Sequence, residues 1–368
     1  MPKKIIFLGE FQKNSAASIH VDLEIAALRY CSNGDYCCVK LNLNHKYSYK
    51  LIIPIIIRLF KSLQLFYRLL PADIAVIYGF SSFTVIDIFL LKLWGCFIVF
   101  ERTEYPYSLI MDSSRISKIQ YEIIKKNDKY SLRWLKYADG FLTCSNALEN
   151  YYKKFTLYKT PYLKCPLYVD YDKFSLNNEK YTNEFSYIAY CGDMGNNKDG
   201  VGDLIEAFKC IAPLYKINLM LIGSAKDYIM TKLKNQAKEF GERIIFTGIV
   251  NHDEMPKLLA SASILASACP NNKQNEGSFP SKVGEYLSTG IPVIVTNVGD
   301  IALYIKDGIN GFIAEPNNIE SFAGKIKYVL DNYEHALQVG KTAQELAKKF
   351  DYKQVGPVLR NFLLNIKK

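Results

Sequence analysis

The sequence predicts an α/β protein with two doubly wound parallel sheets, one in each half of the chain. Short apolar runs of strand length alternate with segments of helical periodicity, an order typical of parallel sheets covered by helices. A polar segment without periodicity, residues 170–183, separates two such series, and 368 residues suffice for two cores. We therefore predict a domain over 1–172, a second over 184–350 and a C-terminal helix over 351–368.

The first series lies before the polar segment and contains five predicted strands. Each strand is a short apolar run, and the segments between them repeat apolar residues at the spacing of a helix face. The predicted strands are 4–8, 36–41, 74–78, 96–101 and 140–143, and the predicted helices are 19–31, 49–69, 83–93 and 114–137.

The second series follows the polar segment and contains six predicted strands. Its last predicted helix opens with Asn317 and Glu320, which have the spacing of a capping box. The predicted strands are 186–191, 218–222, 243–247, 263–266, 293–295 and 311–314, and the predicted helices include 202–211, 227–240 and 319–332.

Composition and charge narrow the classes of function. The nine cysteines form no C-x-x-C pair, which favours a reduced compartment without disulfides or a zinc site. The net charge is +10 without a nucleic-acid-binding motif, so anionic membranes and anionic sugar nucleotides are the better partners. The first apolar run is too short for a signal peptide. No G-x-G-x-x-G follows it, which argues against an NAD-dependent oxidoreductase.

Residues 276–296 predict a loop, a short helix and a buried strand in succession. Pro280 suits the first helical turn, Gly290 suits a left-handed helix stop, and a β-branched run predicts the strand. The loop delivers Ser281 and Lys282 to a helix N-terminus, which attracts anions through its dipole and its unpaired N–H groups. Glu285, one turn later, can face the same ligand. This segment therefore predicts a sugar-nucleotide site.

The same segment has the form E-G-x-x-P-S-K-x-x-E-Y-L-x-x-G-x-P-V-I, which resembles the donor-site motif of the retaining family 4 glycosyltransferases, also called glycosyl transferases group 1. The resemblance spans nearly the whole chain and is strong from about residue 186 to 330. It implies the GT-B fold, in which two Rossmann-like doubly wound domains face a central cleft. It also implies that the C-terminal helix returns to the first domain.

The resemblance assigns phosphate contacts to two loops. After the strand that corresponds to 186–191, the family has a turn of the form G-R-x-x-x-x-K-G, whose Arg and Lys hold the donor diphosphate. Gly192 and Lys198 match this pattern, whereas Asp193 stands in place of the Arg. Lys282, beside Ser281, is then the main cation expected at the diphosphate.

The resemblance also assigns contacts to the ribose and to the transferred sugar. The paired glutamates of the family are separated by seven residues, and here Glu276 and Glu285 are separated by eight. Glu285 is expected to bind the ribose hydroxyls, and Glu276 the transferred sugar, together with the backbone N–H groups of Gly277, Ser278 and Phe279. Capping of a helix is the alternative role for either glutamate.

Three further positions near the second domain have weaker signals. Val250 follows the predicted strand 243–247 and is, by the resemblance, a candidate contact to the nucleobase. His252 is better explained as a helix cap or a surface residue than as a catalyst. Asp170 and Asp172 form a D-x-D pattern like the metal motif of another glycosyltransferase fold, but they lie in the predicted linker, so we expect no metal there.

The first domain is expected to supply the acceptor side. The predicted strand 96–101 ends in Glu101-Arg102-Thr103-Glu104, at the strand end where α/β proteins place ligand sites. Many relatives have H-G-T-D here, so Glu101 and Glu104 stand in the His and Asp positions and are candidate catalytic residues. A surface ion pair is the alternative. Gly9, which follows the first strand, is a candidate donor contact.

Residues 47–70 repeat apolar side chains at helical spacing with Lys and Arg between them. Such a basic amphipathic helix can lie in an anionic membrane interface, and a core-facing helix with a solvated basic side is the alternative. Lipid-linked acceptors, which the family often uses, favour the membrane interpretation. No segment is predicted to span a membrane, since the apolar stretch 83–100 contains Asp87 and Lys92.

These observations predict a retaining glycosyltransferase that moves a sugar from a nucleoside-diphosphate sugar to a hydroxyl of a glycan acceptor. The resemblance favours a lipid-linked acceptor and bacterial surface polysaccharide synthesis, in the cytoplasm or at the inner face of the plasma membrane. We expect no cofactor, no essential divalent metal and no nucleic-acid partner. A GT-B-fold sugar-nucleotide epimerase and a non-catalytic partner subunit are the alternatives. Asp193 favours the partner subunit, whereas Lys198, Lys282 and Glu285 argue against it.

Overall fold

The computed structural model describes residues 3–9, 11, 15–42, 72–79, 84–111, 116–175, 186–195 and 198–366. The chain divides into two compact units, one formed by Met1–Tyr168 with Tyr352–Lys368 and the other by Val169–Asp351. The predicted basic helix at 47–70 lies outside the described residues. None of the described helices is long and apolar enough to cross a membrane.

The first unit contains a six-stranded parallel sheet in the order β2-β1-β3-β4-β5-β6. Because β2 and β3 lie on opposite sides of β1, the strand order reverses between β1 and β3, and ligands of such sheets bind at the carboxyl ends beside that point. The strands are β1 (Lys3–Gly9), β2 (Tyr36–Asn42), β3 (Ile74–Tyr78), β4 (Phe97–Arg102), β5 (Gly140–Thr143) and β6 (Tyr162–Lys164). The described helices are Ala16–Tyr30, Thr84–Leu93, Tyr107–Ile110, Lys118–Trp134, Asn146–Tyr152 and Tyr352–Leu364.

Both faces of this sheet are covered. Side chains alternate between the two faces of a strand, and Ile6 and Leu8 of β1 belong to one core cluster while Ile5 and Phe7 belong to another. The second cluster includes residues of the C-terminal helix Tyr352–Leu364. This helix therefore completes the core of the first unit.

The second unit contains another six-stranded parallel sheet, in the order β12-β11-β10-β7-β8-β9. Here the strand order reverses between β7 and β10. The strands are β7 (Tyr187–Cys191), β8 (Asn218–Ile222), β9 (Ile244–Gly248), β10 (Ile264–Ser267), β11 (Val293–Thr296) and β12 (Phe312–Ala314). The described helices are Tyr171–Ser175, Val201–Ile211, Asp227–Ala237, Met255–Ala260, Lys273–Glu276, Ser281–Ser288, Ile301–Tyr304, Ile319–Asp331 and Tyr333–Lys348.

The two ends of the second unit lie side by side. Val169 forms a parallel bridge with Asp351, and its N–H donates to the carbonyl of Phe350 at 3.0 Å. The chain thus enters and leaves this unit at neighbouring positions.

The fold confirms the predicted class, two doubly wound parallel sheets, and differs from the prediction in local detail. β6 was not predicted, and the segment predicted as a linker from residue 170 opens with the helix Tyr171–Ser175. The cap of the helix Ile319–Asp331 is Asn318, whose side chain accepts from the N–H of Ser321. Asn317 instead has a left-handed φ of 58°, and its side chain accepts from the N–H of Asn271.

Candidate functional site

The glycine-rich turn after β7 closely approaches neighbouring elements of the second unit. Gly192 has a φ of +143°, and an ideal Cβ there would lie 2.8 Å from Nζ of Lys282. Gly200, at the end of the turn, has a φ of +64°, and a Cβ there would lie 1.8 Å from the carbonyl oxygen of Ala268, just after β10. Only glycine fits both positions, so the turn lies against the reversal point of the sheet and leaves room for the Lys282 side chain.

Lys282 is the cation at the centre of this arrangement. Its Nζ lies 2.6 Å from Oδ1 of Asp199, donates to the hydroxyl of Tyr190 at 2.7 Å and stands 4.2 Å from the centre of the Tyr190 ring. The Lys282 and Asp199 side chains are only 14% and 11% exposed. The ammonium group is therefore held in a fixed position by an anion, a hydroxyl and an aromatic face.

The helix Ser281–Ser288 places Lys282 in its first turn. Pro280 is the N-cap residue rather than the first helical residue, and it provides no side-chain hydrogen bond to the helix start. The first N–H groups of a helix have no acceptor within the helix, and its dipole favours negative charge at this end. Ser281 is exposed. The ammonium group of Lys282 and the N-terminus of this helix therefore attract an anion to the same position.

The loop before this helix is tightly folded. Asn275 is fully buried, and its amide donates to the carbonyl oxygens of Lys198 and Pro270 at 2.9 and 2.8 Å. The N–H groups of Gly277 and Ser278, predicted as sugar contacts, donate to the carbonyl of Asn275. The Asn275 side chain therefore ties this loop to the glycine-rich turn.

Side chains of the same loop differ in exposure. The ring of Phe279 is buried and packs on Tyr304 at 5.3 Å, so only its backbone could reach a ligand. Oγ of Ser278 is buried and lacks a hydrogen-bond partner within the described part of the chain. Glu276 is exposed and forms an ion pair with Lys273 at 2.8 Å.

Glu285 faces His252 at the edge of this site. Its Oε1 lies 4.0 Å from Nε2 of His252, and Nδ1 of His252 lies 2.8 Å from Nζ of Lys173. Burial raises the pKa of Glu285 to about 7, against the opposing effect of the Lys282 and Lys173 charges. His252 does not cap the helix Met255–Ala260, whose N-cap is Glu254. It is instead a partly buried neighbour of Glu285, a position that the sequence did not reveal.

The remaining predicted contacts of the second unit are placed as follows. Asp193, in the position where the family has Arg, is exposed, and its Oδ1 accepts from the N–H of Gly195 at 2.6 Å. The carboxylate of Asp193 therefore forms a hydrogen bond within the turn itself. Lys198 is partly exposed in the same turn, and Val250 is partly exposed just after β9.

In the first unit, the two predicted acids after β4 have different surroundings. Glu101 is 3% exposed, and its Oε1 lies 2.5 Å from Nε2 of His20. Burial raises the pKa of Glu101 to about 7. Glu104 is partly exposed, and its carbonyl accepts from the hydroxyl of Tyr152. Gly9 is buried at the end of β1 against Phe11, whose ring would meet a Cβ at 2.6 Å.

Four side chains that were not predicted from the sequence lie beside these predicted residues. Asp199 and Tyr190 join Lys282 in the second unit. His20 joins Glu101 in the first unit, where Glu24 is also fully buried. The sequence signal that could have identified Asp199 is its position directly after Lys198 in the predicted phosphate turn.

Part of the chain is similar in sequence to known glycosyltransferases. Residues 186–332 match the family model described as glycosyl transferases group 1. An uncharacterized glycosyltransferase of Methanocaldococcus jannaschii is 31% identical over 156 residues, which is 42% of this chain and 41% of that protein. A sulfoquinovosyl transferase of Arabidopsis thaliana is 28% identical over 33% of this chain and 23% of that protein. The chain thus spans less than half the length of these curated relatives.

Solved structures resemble the chain over its full length. HepE of Anabaena, in complex with UDP-glucose, matches with a TM-score of 0.72 and 15% identity over 98% of this chain and 99% of that one. The lipopolysaccharide outer core galactosyltransferase WaaB matches with a TM-score of 0.65 and 17% identity over 98% of this chain and 99% of that one. At this level of identity the likeness establishes the fold.

Proposed function

We propose that the protein is a retaining glycosyltransferase, because residues 186–332 match the family model of glycosyl transferases group 1 and the whole chain has the GT-B fold. It moves a sugar from a nucleoside-diphosphate sugar to a hydroxyl of a glycan acceptor. The single observation that supports this proposal most is the position of Lys282, in the first turn of a helix and against the glycine-rich turn. UDP-glucose bound to the similarly folded HepE supports the donor class.

The diphosphate of the donor binds where the charges of the second unit favour an anion. Lys282 and the N-terminus of the helix Ser281–Ser288 offer a cation and a positive dipole end. Lys198 in the glycine-rich turn adds a second cation. These groups stabilise the departing diphosphate in the role that a divalent ion has in other transferases, so the proposal requires no metal at the diphosphate.

The acids near the site have separate roles in the proposed reaction. Glu285, the partly buried carboxyl beside Lys282, accepts hydrogen bonds from the ribose hydroxyls. Glu276 contacts the transferred sugar once its surface ion pair with Lys273 opens. In the first unit, Glu104 is partly exposed whereas Glu101 is almost fully buried, so we propose Glu104 as the acid that contacts substrate.

We also propose that the new glycosidic bond retains the configuration of the donor sugar. The acceptor hydroxyl attacks the face that the diphosphate leaves, and its proton passes to the leaving phosphate. A lipid-linked glycan is the proposed acceptor, at the inner face of a bacterial plasma membrane. The similarly folded WaaB is a lipopolysaccharide outer core galactosyltransferase, which supports a surface-glycan setting.

A non-catalytic partner subunit is the second candidate, and one observation favours it. Asp193 replaces the arginine of the family motif, and its carboxylate hydrogen-bonds within the turn. The diphosphate site then lacks one cation and gains a nearby negative charge. A partner subunit would keep the fold and bind no donor.

Nucleotide binding separates the two candidates. The purified full chain is titrated with UDP, GDP, ADP and CMP in a thermal-shift assay, together with Lys282→Ala and the control Lys325→Ala. Lys325 is also an ion-paired lysine of the second unit, with Asp307 at 2.6 Å. Stabilisation by one nucleoside diphosphate that is lost only in Lys282→Ala supports the transferase. Absence of any shift contradicts it and favours the partner subunit.

The anomeric outcome is then tested with the matching sugar nucleotide. Proton NMR of the product, or of the sugar released by slow hydrolysis, reports the configuration at the anomeric carbon. An unchanged configuration supports the retaining mechanism, and an inverted one excludes it.

A further inference from the structure

Three potential metal ligands converge in the first unit, apart from the proposed donor site. His20 and Glu24 lie one turn apart on the helix Ala16–Tyr30, so both face the same direction. Glu101 comes from β4, which pairs with β3 in the sheet. One ligand atom from each residue lies within 4.8 Å of the other two.

Both carboxylates of this cluster have an unused oxygen. Glu24 is fully buried and Glu101 is 3% exposed. Oε2 of each is buried and has no hydrogen-bond partner within the described residues. A buried carboxylate oxygen without a donor is costly. Because the two carboxyls lie within hydrogen-bonding reach of each other, the cluster holds either one proton between them or a cation.

The charges around the cluster lead to the same conclusion. Arg102, which follows Glu101 in the chain, directs its NH1 group to the backbone carbonyls of Gly79 and Glu101 at 2.7 and 2.9 Å. Two adjacent buried carboxylates require either a shared proton or a bound cation.

We propose that His20, Glu24 and Glu101 bind a divalent transition-metal ion of the Zn²⁺ type. One imidazole nitrogen and two carboxylate oxygens form a ligand set that suits such ions and leaves a fourth position open. No zinc site was predicted from the sequence, because the cysteines form no C-x-x-C pair. His20 and Glu101, which are 81 positions apart in the chain, gave no local signal.

Neighbouring side chains hold these ligands in place. The hydroxyl of Tyr168 donates to Oε1 of Glu24 at 3.0 Å. The ring of His20 stands edge-on to Tyr168 at 5.0 Å and lies 5.8 Å from Tyr78. Such outer contacts orient metal ligands in proteins. The 2.5 Å between His20 Nε2 and Glu101 Oε1 must widen to roughly 3.3 Å around a tetrahedral ion.

Metal titration of the full chain tests this inference without reference to transferase activity. The protein is treated with EDTA, dialysed and titrated with Zn²⁺ by calorimetry, and with Co²⁺ while the visible absorption of a low-symmetry cobalt site is followed. We expect one ion per chain. Glu24→Gln keeps the shape of the side chain and should weaken Zn²⁺ binding by roughly 100-fold.

Two control variants distinguish this site from adventitious binding. Asp22→Asn changes an exposed carboxylate on the same helix, and His335→Ala changes an exposed histidine of the other unit. Both should bind Zn²⁺ as the unaltered chain does. Binding that survives Glu24→Gln, or wild-type protein that gives no cobalt absorption band, overturns the proposal and leaves a proton shared between the two carboxyls.

Discussion

Nζ of Lys282 lies 2.6 Å from Oδ1 of Asp199, and both side chains are nearly buried. The cation proposed for the donor diphosphate is therefore already neutralised by a carboxylate of the glycine-rich turn. An incoming diphosphate competes with Asp199 for the same ammonium group. This competition lowers the affinity for the diphosphate. The ion pair with Asp199 also keeps the nearly buried Lys282 from being an unpaired charge when no ligand is bound.

Replacement of Asp199 by Asn should strengthen nucleoside-diphosphate binding. The amide keeps the shape of the side chain but removes the competing negative charge, so we expect about tenfold tighter binding, or roughly 1.4 kcal/mol. Calorimetric titration with the preferred nucleotide measures it. Asp307→Asn, which breaks the exposed pair with Lys325, should leave affinity unchanged. Weaker binding by Asp199→Asn would show that Asp199 positions Lys282 for its ligand.

Gly192→Ala should abolish nucleotide binding and destabilise the second unit. The new Cβ would lie 2.8 Å from Nζ of Lys282, at a φ of +143° that alanine rarely adopts. We expect a loss of roughly 1–3 kcal/mol in the free energy of unfolding, measured by urea denaturation. Gly308→Ala is the matched control, because its φ is +72° but a Cβ there meets nothing within 4 Å. Equal nucleotide affinity in the two variants would contradict the close approach of Lys282.

The raised pKa of Glu285, about 7, predicts a pH-dependent loss of stability. The ordinary pKa is lower, so protonation favours the folded state, and this contribution disappears as pH rises from about 4.5 through 7. Glu285→Gln should therefore be more stable than wild type at pH 8, by roughly 1–3 kcal/mol, and the difference should shrink at pH 5. Urea denaturation at both pH values measures it. A difference in unfolding free energy that is the same at both pH values would show that the carboxyl of Glu285 is solvated and not buried.

Gly356→Ala should loosen the C-terminal helix from the first unit. A Cβ at this position would lie 2.6 Å from the carbonyl oxygen of Ala27, on the helix Ala16–Tyr30. Because backbone on both sides resists movement, we expect a loss of roughly 1–3 kcal/mol, read from thermal or urea unfolding. Gly324→Ala, in the helix Ile319–Asp331 with nothing within 4 Å of its Cβ, should stabilise slightly. Similar effects from both would contradict the helix contact.

Local patterns were sufficient to predict the fold class. Strand runs and helix periods are properties of a few adjacent residues, and the segment around Lys282 forms a loop, helix and strand within one stretch of sequence. β6 escaped prediction because Tyr162–Lys164 is a three-residue, partly exposed strand without a measurable period. The helix cap is Asn318 and not the neighbouring Asn317. Which of the two adjacent asparagines caps the helix depends on the backbone conformation of the preceding turn.

The partners of the site residues could not be predicted in the same way. Asp199 and Lys282 are 83 positions apart and meet because the turn after β7 lies beside the helix Ser281–Ser288. His20 and Glu101 are separated by a similar distance along the chain. Such pairs depend on the order of parallel strands, which neither residue type nor spacing encodes. The proximity of His252 to Glu285 could not be predicted for the same reason, since the two residues belong to different loop–helix segments.

The C-terminal helix also affects the order in which the chain can fold during synthesis. The second unit is a continuous segment whose two ends, Val169 and Asp351, lie side by side. The first unit lacks Leu359, Leu363 and Ile366 of its core until the segment after residue 351 is made. The first unit therefore completes its core only after the second unit has been synthesised, although its own synthesis began earlier. Truncation at residue 351 would leave an intact second unit attached to an N-terminal half with an exposed apolar face.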